Sequence, residues 1–233
     1  NASINSKEIK KNNIFFAIKG NKFNGNKFAL EAIKKGASLS FVDKIYFKNK
    51  QIFKVKNTLN LLTELSKTIR KVSNLKTLGI TGSAGKTSLK ELIGQCLNTI
   101  DSTTFSKKSF NNKFGVPISL FNISNKNVYG VFEIGMDKRG EINKLSKIIL
   151  PDIGIITNIS YAHIKNFKNL KGIAEAKSEL IDNIVCGGSI ILNKDDKFFN
   201  FFYKKAKKRK LNIFSFSKNK KTDVQLIKIV KLK

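Results

Sequence analysis

The run TGSAGKTS at 81–88 constrains this chain more than any other stretch. Before it, Leu75 to Ile80 reads as a short buried strand. After it, Leu89, Leu92, Ile93, Cys96, Leu97 and Ile100 recur at helical spacing. A strand, a glycine-rich turn and a helix in that order aim main-chain N–H groups and a helix N-terminus at an anion. Gly82 and Gly85 let the backbone come close to a phosphate, with Ser83, Ala84 and Ser88 completing the loop. Lys86 is placed to neutralise the outer phosphates, and Thr87 to offer its hydroxyl to Mg²⁺. Ile80 stands where the longer form of such loops has its first glycine, so this is the shorter G-x-x-G-K-T variant. The expected ligand is a nucleoside triphosphate with Mg²⁺.

Around the loop, strand and helix signals alternate. The spacing predicts strands over 128–134, 153–159, 189–193 and 212–216, and helices over 141–149, 170–185 and 195–210. Such alternation predicts an α/β fold, a mostly parallel sheet with helices on both faces. The loops after Ile80, Ile134 and Ile159 then share the carboxyl edge of the sheet, where open α/β sheets bind ligands. Upstream, 13–20 and 40–43 read as strands and 27–37 as a helix. Tyr46 to Val55 reads as a β-ribbon turning near Asn49. A helix from Asn57 to Val72 presents Leu59, Leu62, Leu65, Ile69 and Val72, with Asn57 or Thr58 as its cap. A polar break at Ser73–Asn74 predicts two domains, 1–73 and 74–233. The tail alternates from Val224 to Leu232 and stops mid-pattern, so the sheet reads as incomplete and the chain as the N-terminal part of something longer.

The formal net charge of +29 invites a nucleic-acid reading, but the composition argues against it. Only Arg70, Arg139 and Arg209 supply guanidinium groups among 45 basic residues. Base-reading interfaces favour arginine for its bidentate geometry. Lysine, asparagine, isoleucine and phenylalanine are abundant together, as expected of drift toward A/T-rich codons. The densest basic run, Lys204 to Lys210, reads as a solvated helix face, with salt-sensitive polyanion binding as a side effect. No apolar run approaches the roughly 18 residues a membrane span needs. The polar N-terminus lacks the apolar core of a signal peptide. Cys96 and Cys186 lie in apolar contexts without metal-ligand spacing and read as buried free thiols of a reducing cytoplasm.

Three further segments carry chemistry. VFEIGM at 131–136 puts Glu133 at a strand end, where a carboxylate can hold Mg²⁺ against nucleotide phosphates. ITNISYAHIKNF at 156–167 contains His163, the single histidine. AEAKSE at 174–179 sets Lys177 on an otherwise apolar helical face with Ile173, Ala176, Leu180 and Ile181. Taken singly, these are a surface glutamate, a structural histidine and a snorkelling lysine.

In order and spacing, these segments and the loop resemble the Mur ligase family, the ATP-dependent amide-bond ligases of peptidoglycan synthesis. The resemblance runs from about Ile4 to Phe216. Within the family, FNNKFGVP at 110–117, VFEIGM and the Ala162–His163 pair are similar to the branch that adds D-Ala-D-Ala to UDP-MurNAc-tripeptide. The branch that adds the third stem residue has Thr-Thr-Pro, Glu-Val-Ser-Ser-His and Asp-His there. FFAIKGNKFNGNKF at 15–28 resembles the UDP-binding domain of both.

The resemblance implies that Lys86 contacts the ATP phosphates, that Thr87 and Glu133 hold Mg²⁺, and that His163 joins a second Mg²⁺ site. It implies that Lys177 is carbamylated and becomes an anionic metal ligand. Asn111 and Asn112 fall near substrate and nucleotide, and Asn158 and Asn193 around the nucleotide. In the N-terminal domain it assigns Asn5, Ser6, Lys7, Asn24 and Gly25 to the UDP moiety. Asn5 and Lys7 replace a family Asp and Arg, and Asn26 a usual His. The implied reaction transfers the γ-phosphoryl group of ATP to a peptide carboxylate, and the amine of D-Ala-D-Ala then displaces phosphate. The implied enzyme is a cytoplasmic monomer with a third domain, to which nothing in these 233 residues corresponds. The chain alone is therefore expected to make no amide bond. Three other readings stay open here: the third-residue ligase, a binding fragment without ligase activity, and, on charge alone, a nucleic-acid binder.

Overall fold

Two separate parallel sheets organise the computed structural model, which describes residues 1–20, 23–106, 110–161, 166–228 and 230. The chain packs as two units, one of Asn1–Ser73 with Pro117–Ser124, the other of Asn74–Val116 with Asn125–Lys233.

In the first unit, β1 (Ala2–Ser3), β2 (Ile14–Phe16), β3 (Leu39–Val42) and β4 (Ile52–Lys54) lie side by side in that order, all parallel. Helix α1 (Ala29–Lys34) and helix α2 (Thr58–Val72) complete it. Phe15, Ala17, Ala29, Ala32, Val42 and Ile52 form one core cluster. The Asn57 side chain accepts from Asn60 N and caps α2. The buried stripe of α2 differs from the expected one. Thr58, Leu62, Ser66 and Arg70 are buried at i, i+4 spacing, whereas Val72 is exposed. Ser66 Oγ donates to Pro117 O at 2.7 Å, and the Phe121 ring sits edge-on to Phe16 at 5.3 Å, so the returning segment Pro117–Ser124 is what that stripe meets. The expected β-ribbon over Tyr46–Val55 is not formed. Only Ile52–Lys54 is strand, and it pairs parallel with β3 rather than folding back on its own residues.

In the second unit, seven parallel strands take the order β11-β10-β9-β8-β5-β7-β6. Their bounds are β5 (Lys76–Thr81), β6 (Thr103–Phe105), β7 (Tyr129–Glu133), β8 (Ile153–Ile156), β9 (Ser189–Asn193), β10 (Asn212–Ser217) and β11 (Val224–Gln225). The helices are α3 (Lys86–Asn98), α4 (Gly115–Phe121, shared with the first unit), α5 (Glu141–Ile149), α6 (Leu170–Lys177), α7 (Glu179–Asp182) and α8 (Phe199–Lys208). The parallel sheet expected from the alternation is thus present. Alternate residues of β5 serve its two faces. Leu78 and Ile80 join Val131 and Ile155 beneath Leu89, Ile93 and Leu97 of α3. On α5, Ile142, Leu145, Ile148 and Ile149 are buried, each removed from water at a gain of roughly 1.5–3 kcal/mol.

Several boundaries depart from the sequence reading. The helix expected over 170–185 breaks at Ser178 into α6 and α7. The one expected over 195–210 starts at Phe199, because Asp196 accepts from Phe198 N and holds a turn there. Strand β8 ends at Ile156, short of Ile159, since the chain turns toward the glycine-rich loop. Both cysteines, expected buried, are exposed, and so are Leu92 and Ile100 of the apolar series. Leu89, Ile93 and Leu97 of that series do pack against the sheet, and the fully buried positions of α3 are Lys90 and Gly94. As expected, the basic run of α8 is largely solvated; Lys205, bound to Ser178 and Asp182, is its partly buried member.

Candidate active site

The sheet order reverses around β5, with β7 on one side and β8 on the other. The loops leaving these three strands therefore meet at one carboxyl edge, the switch point at which doubly wound sheets bind ligands.

The loop after β5 is held by the loop after β8. Ser83 N donates to Asn158 O at 2.9 Å and Ala84 N to Asn158 Oδ1 at 3.1 Å. Thr157 Oγ1 donates to Ala84 O at 2.7 Å, and Ser160 N to Ser83 Oγ at 2.9 Å. Asn158 is thus a scaffold for the loop, satisfying two main-chain groups that would otherwise be left to solvent. Asn193 stands one step further back, donating to Thr157 O and accepting from Asp195 N. Gly82 is the tight point: a Cβ there would lie 1.8 Å from Thr157 Oγ1. Gly85 caps α3 in the left-handed region, φ +79°, with open space where a side chain would stand. The first turn of α3 consequently receives no side-chain cap, and its N–H groups point at the loop's mouth.

We expect Gly82→Ala to lose nucleotide affinity and about 1–3 kcal/mol of stability, the usual size of forced overpacking. Chemical denaturation beside a nucleotide titration measures both. Unchanged stability would mean that Thr157 swings away freely.

Three side chains converge on the acidic centre. Glu133, 2% exposed at the end of β7, accepts from Thr87 Oγ1 at 2.7 Å through Oε2 and from Asn111 Nδ2 at 2.7 Å through Oε1. Asn111 O in turn accepts from Gly135 N at 2.8 Å. Asn112 acts elsewhere, since its Oδ1 accepts from Phe114 N and Gly115 N and starts α4. Ser88 is exposed on the first turn of α3.

Two lysines converge on Gly82 O, Lys86 Nζ at 2.9 Å and Lys177 Nζ at 2.8 Å. Lys177 is 2% exposed among Ile173, Ala176, Leu180 and Ile181, all buried. Loss of water, and secondarily the Lys86 ammonium, lower its pKa from 10.5 to about 7. His163 lies outside the described residues. Among the described residues, no three His, Cys, Asp or Glu side chains cluster as a metal cage. The hydroxyl–carboxylate pair Thr87–Glu133 beside a surplus of positive charge instead suits Mg²⁺ bridged to phosphate, since that ion takes few protein ligands and completes its shell with phosphate and water.

In the first unit, Asn24 and Asn26 serve the local fold. Asn24 Oδ1 accepts from Asn26 N, and the buried Asn26 side chain donates to Asp43 Oδ1 at 2.6 Å and accepts from Asp43 N. Gly25 sits against Ile18, where a Cβ would come within 2.5 Å of the carbonyl oxygen. Ser6 is buried beside Glu31, and Lys7 N donates to the Asn5 side chain.

Sequence reasoning missed Lys90, Thr157 and Asp196, whose Oδ2 accepts from Ile159 N at 2.7 Å and so pins the loop after β8. A signal existed for Asp196: acidic residues number only 16, and two adjacent ones immediately follow LNK.

Residues 1–79 match the Mur ligase family, catalytic domain, and residues 80–232 match the Mur ligase middle domain. The chain belongs to the Mur ligase family. It is 37% identical over 227 residues to the UDP-N-acetylmuramoyl-tripeptide--D-alanyl-D-alanine ligase of Rickettsia prowazekii, covering 96% of this chain and 50% of that protein. Its fold is similar to that of MurF from Acinetobacter baumannii, with a TM-score of 0.85 at 30% identity, over 96% of this chain and 48% of that one. The MurF ligase of Thermotoga maritima, solved in complex with ADP, is similar at a TM-score of 0.79 and 27% identity, over 94% and 50%. The chain spans about half the length of the relatives it matches. No helix among the described residues is long and apolar enough to cross a membrane.

Proposed function

We propose that the protein carrying this chain is the ATP-dependent ligase that joins D-Ala-D-Ala to UDP-MurNAc-tripeptide, acting as a cytoplasmic monomer. The observation that carries this reading is the convergence of Lys86, Thr87, Glu133, Asn111 and Lys177 at one sheet edge. The similarity to ligases of that name supports it.

A peptide carboxylate is a poor electrophile. Taking the γ-phosphoryl group of ATP converts it to an acyl phosphate, from which phosphate leaves once the amine has attacked. Bringing a carboxylate to a triphosphate joins like charges, so the site must be positive before chemistry begins. Lys86 and the first-turn N–H groups of α3 cradle the phosphates. Thr87 and Glu133 would hold Mg²⁺, with His163 at a second ion, and the metal's part is to screen the phosphate oxygens. Asn111 orients the Glu133 carboxylate. Lys177, with a free amine near neutral pH, adds to CO₂: the C–N bond forms as one C=O π bond opens, one N–H proton is released to solvent, and a carbamate anion replaces the neutral amine. The first unit holds the UDP end through Ser6, Lys7, Asn24 and Gly25.

The test supplies the full-length protein with ATP, Mg²⁺, UDP-MurNAc-tripeptide and D-Ala-D-Ala. The pentapeptide is expected by mass, with ADP and phosphate released together. Turnover only with UDP-MurNAc-dipeptide and a single amino acid would overturn the assignment in favour of the third-residue ligase.

A further inference from the structure

Two glutamates flank Lys177 in AEAKSE, Glu175 and Glu179, and neither has a part in that reading. Glu175 meets Arg139 at 3.3 Å, but the arginine is 71% exposed, and a pair so open to water holds little. Glu179 is placed differently. Its Oε1 accepts from Gly140 N at 2.8 Å and its Oε2 from Asn143 N at 2.9 Å. Gly140 is the N-cap of α5 and has no side chain to offer, so the carboxylate of another helix serves that end. An anion suits the positive end of a helix, and both of its oxygens are used.

The helix break at Ser178 is what lets Lys177 and Glu179 do separate things. Residues two apart on a helix do not share a face. Lys177 turns inward to Gly82 O, and Glu179 turns to α5. Ser178 O accepts from Ile181 N at 3.0 Å and from Lys205 Nζ at 2.9 Å, which holds the break from the side of α8. The segment that Glu179 grips is the one leaving Glu133. Within it, Gly135 N donates to Asn111 O, and Asp137 N and Lys138 N donate to Glu141 Oε2. A second tie, from Asn183 Nδ2 to Asn143 Oδ1 and Ser146 Oγ, lies one turn further from Lys177.

We propose that Glu179 is a positioning residue: by holding the N-terminus of α5 it fixes the segment bearing Lys177 against the loop that leaves Glu133. This rests on the reading of Lys177 and Glu133 as partners in one active site. Without the Glu179 carboxylate, Asn183 still anchors the far end of α7, and the end next to Lys177 is free to shift.

The test is a double-mutant cycle in the full-length protein: the parent, Glu179→Ala, Lys177→Ala and the double variant, each assayed for ligation and each melted. Glu179→Ala should lower kcat about tenfold or more with KM for ATP little changed, since a displacement of about 1 Å can cost roughly 10²-fold. In the Lys177→Ala background the same substitution should cost less than about threefold, because the side chain being placed is gone. An equal loss in both backgrounds would overturn the proposal, and so would a lower melting temperature with unchanged kcat. If Glu179→Ala does not fold, Glu179→Gln takes its place; it keeps one acceptor and loses the charge, and parent-like kcat there overturns the role of the carboxylate. A parent without ligase activity, or a fully active Lys177→Ala, removes the underlying reading and this role together. An active parent that depends on Lys177 but not on Glu179 refutes Glu179 alone.

Discussion

Lys86→Ala in the full-length protein is expected to cut ATP turnover by about 10²-fold or more, the scale of losing one preorganised donor to a developing charge. Lys86 opens α3 directly behind Gly85, and its ammonium lies within its own loop, 2.9 Å from Gly82 O. The group is therefore held at the loop itself, beside the N-terminus of α3. Lys86→Arg should rescue little, because a planar fork needs more room than a single ammonium within this turn. Steady-state phosphate release measures the effect, with thermal melting as the control for folding. A Lys86→Ala protein with near-normal turnover would remove the loop from the mechanism.

Lys177→Ala should lose about 100-fold of activity or more, since removing even an outer-shell partner at a metal site costs up to about that much, and formate should restore part of it by supplying the missing carboxylate. The prediction joins burial to reactivity. Desolvation lowers the lysine to about 7, so the free amine needed to take up CO₂ predominates above neutrality. In ¹³C-bicarbonate buffer a carbamate resonance should grow as pH rises through about 7 and be absent from the alanine variant. The same shift sets a stability trend. Between about 7 and 10.5 the unfolded chain binds the extra proton, so burying an unmodified Lys177 costs most below about pH 7, and the cost fades as pH rises toward 10.5. Full activity of Lys177→Ala without additive would sink the carbamate.

The sheet and its loop were legible because a parallel strand buried on both faces leaves an apolar run, and β5, β7 and β8 all show one. Glu133 could be singled out because it ends such a run with a charge, and Lys177 because it interrupts an apolar helix face. What the sequence hid was long-range pairing. The two-residue strand β1 and the three-residue strand β6 carry too few positions for any period to show. The stripe Thr58–Leu62–Ser66–Arg70 reads as polar until Pro117 O is seen to receive Ser66. Lys90 stands next to Leu89 in a helix whose apolar residues do face the sheet, and a buried lysine is recognisable only once Ser106 O is beside it. Asn158 was expected beside a ligand; its side chain engages the loop, a distinction of ångströms that no motif records.

The first unit is closed by Pro117–Ser124, and the loop after β5 by Asn158. On a ribosome making about 5–20 residues per second, neither structure can be completed as its own residues emerge. The first unit waits, beyond Ser73, for the segment Pro117–Ser124 before Phe121 reaches Phe16, and the glycine-rich loop waits for β8. During that interval strand β5, an apolar segment with two unfilled edges, is exposed to whatever the cell supplies. All-parallel pairing of this kind is slow to form and open to aggregation. For a chain of formal net charge +29, self-repulsion between nascent copies opposes that aggregation before the fold is complete.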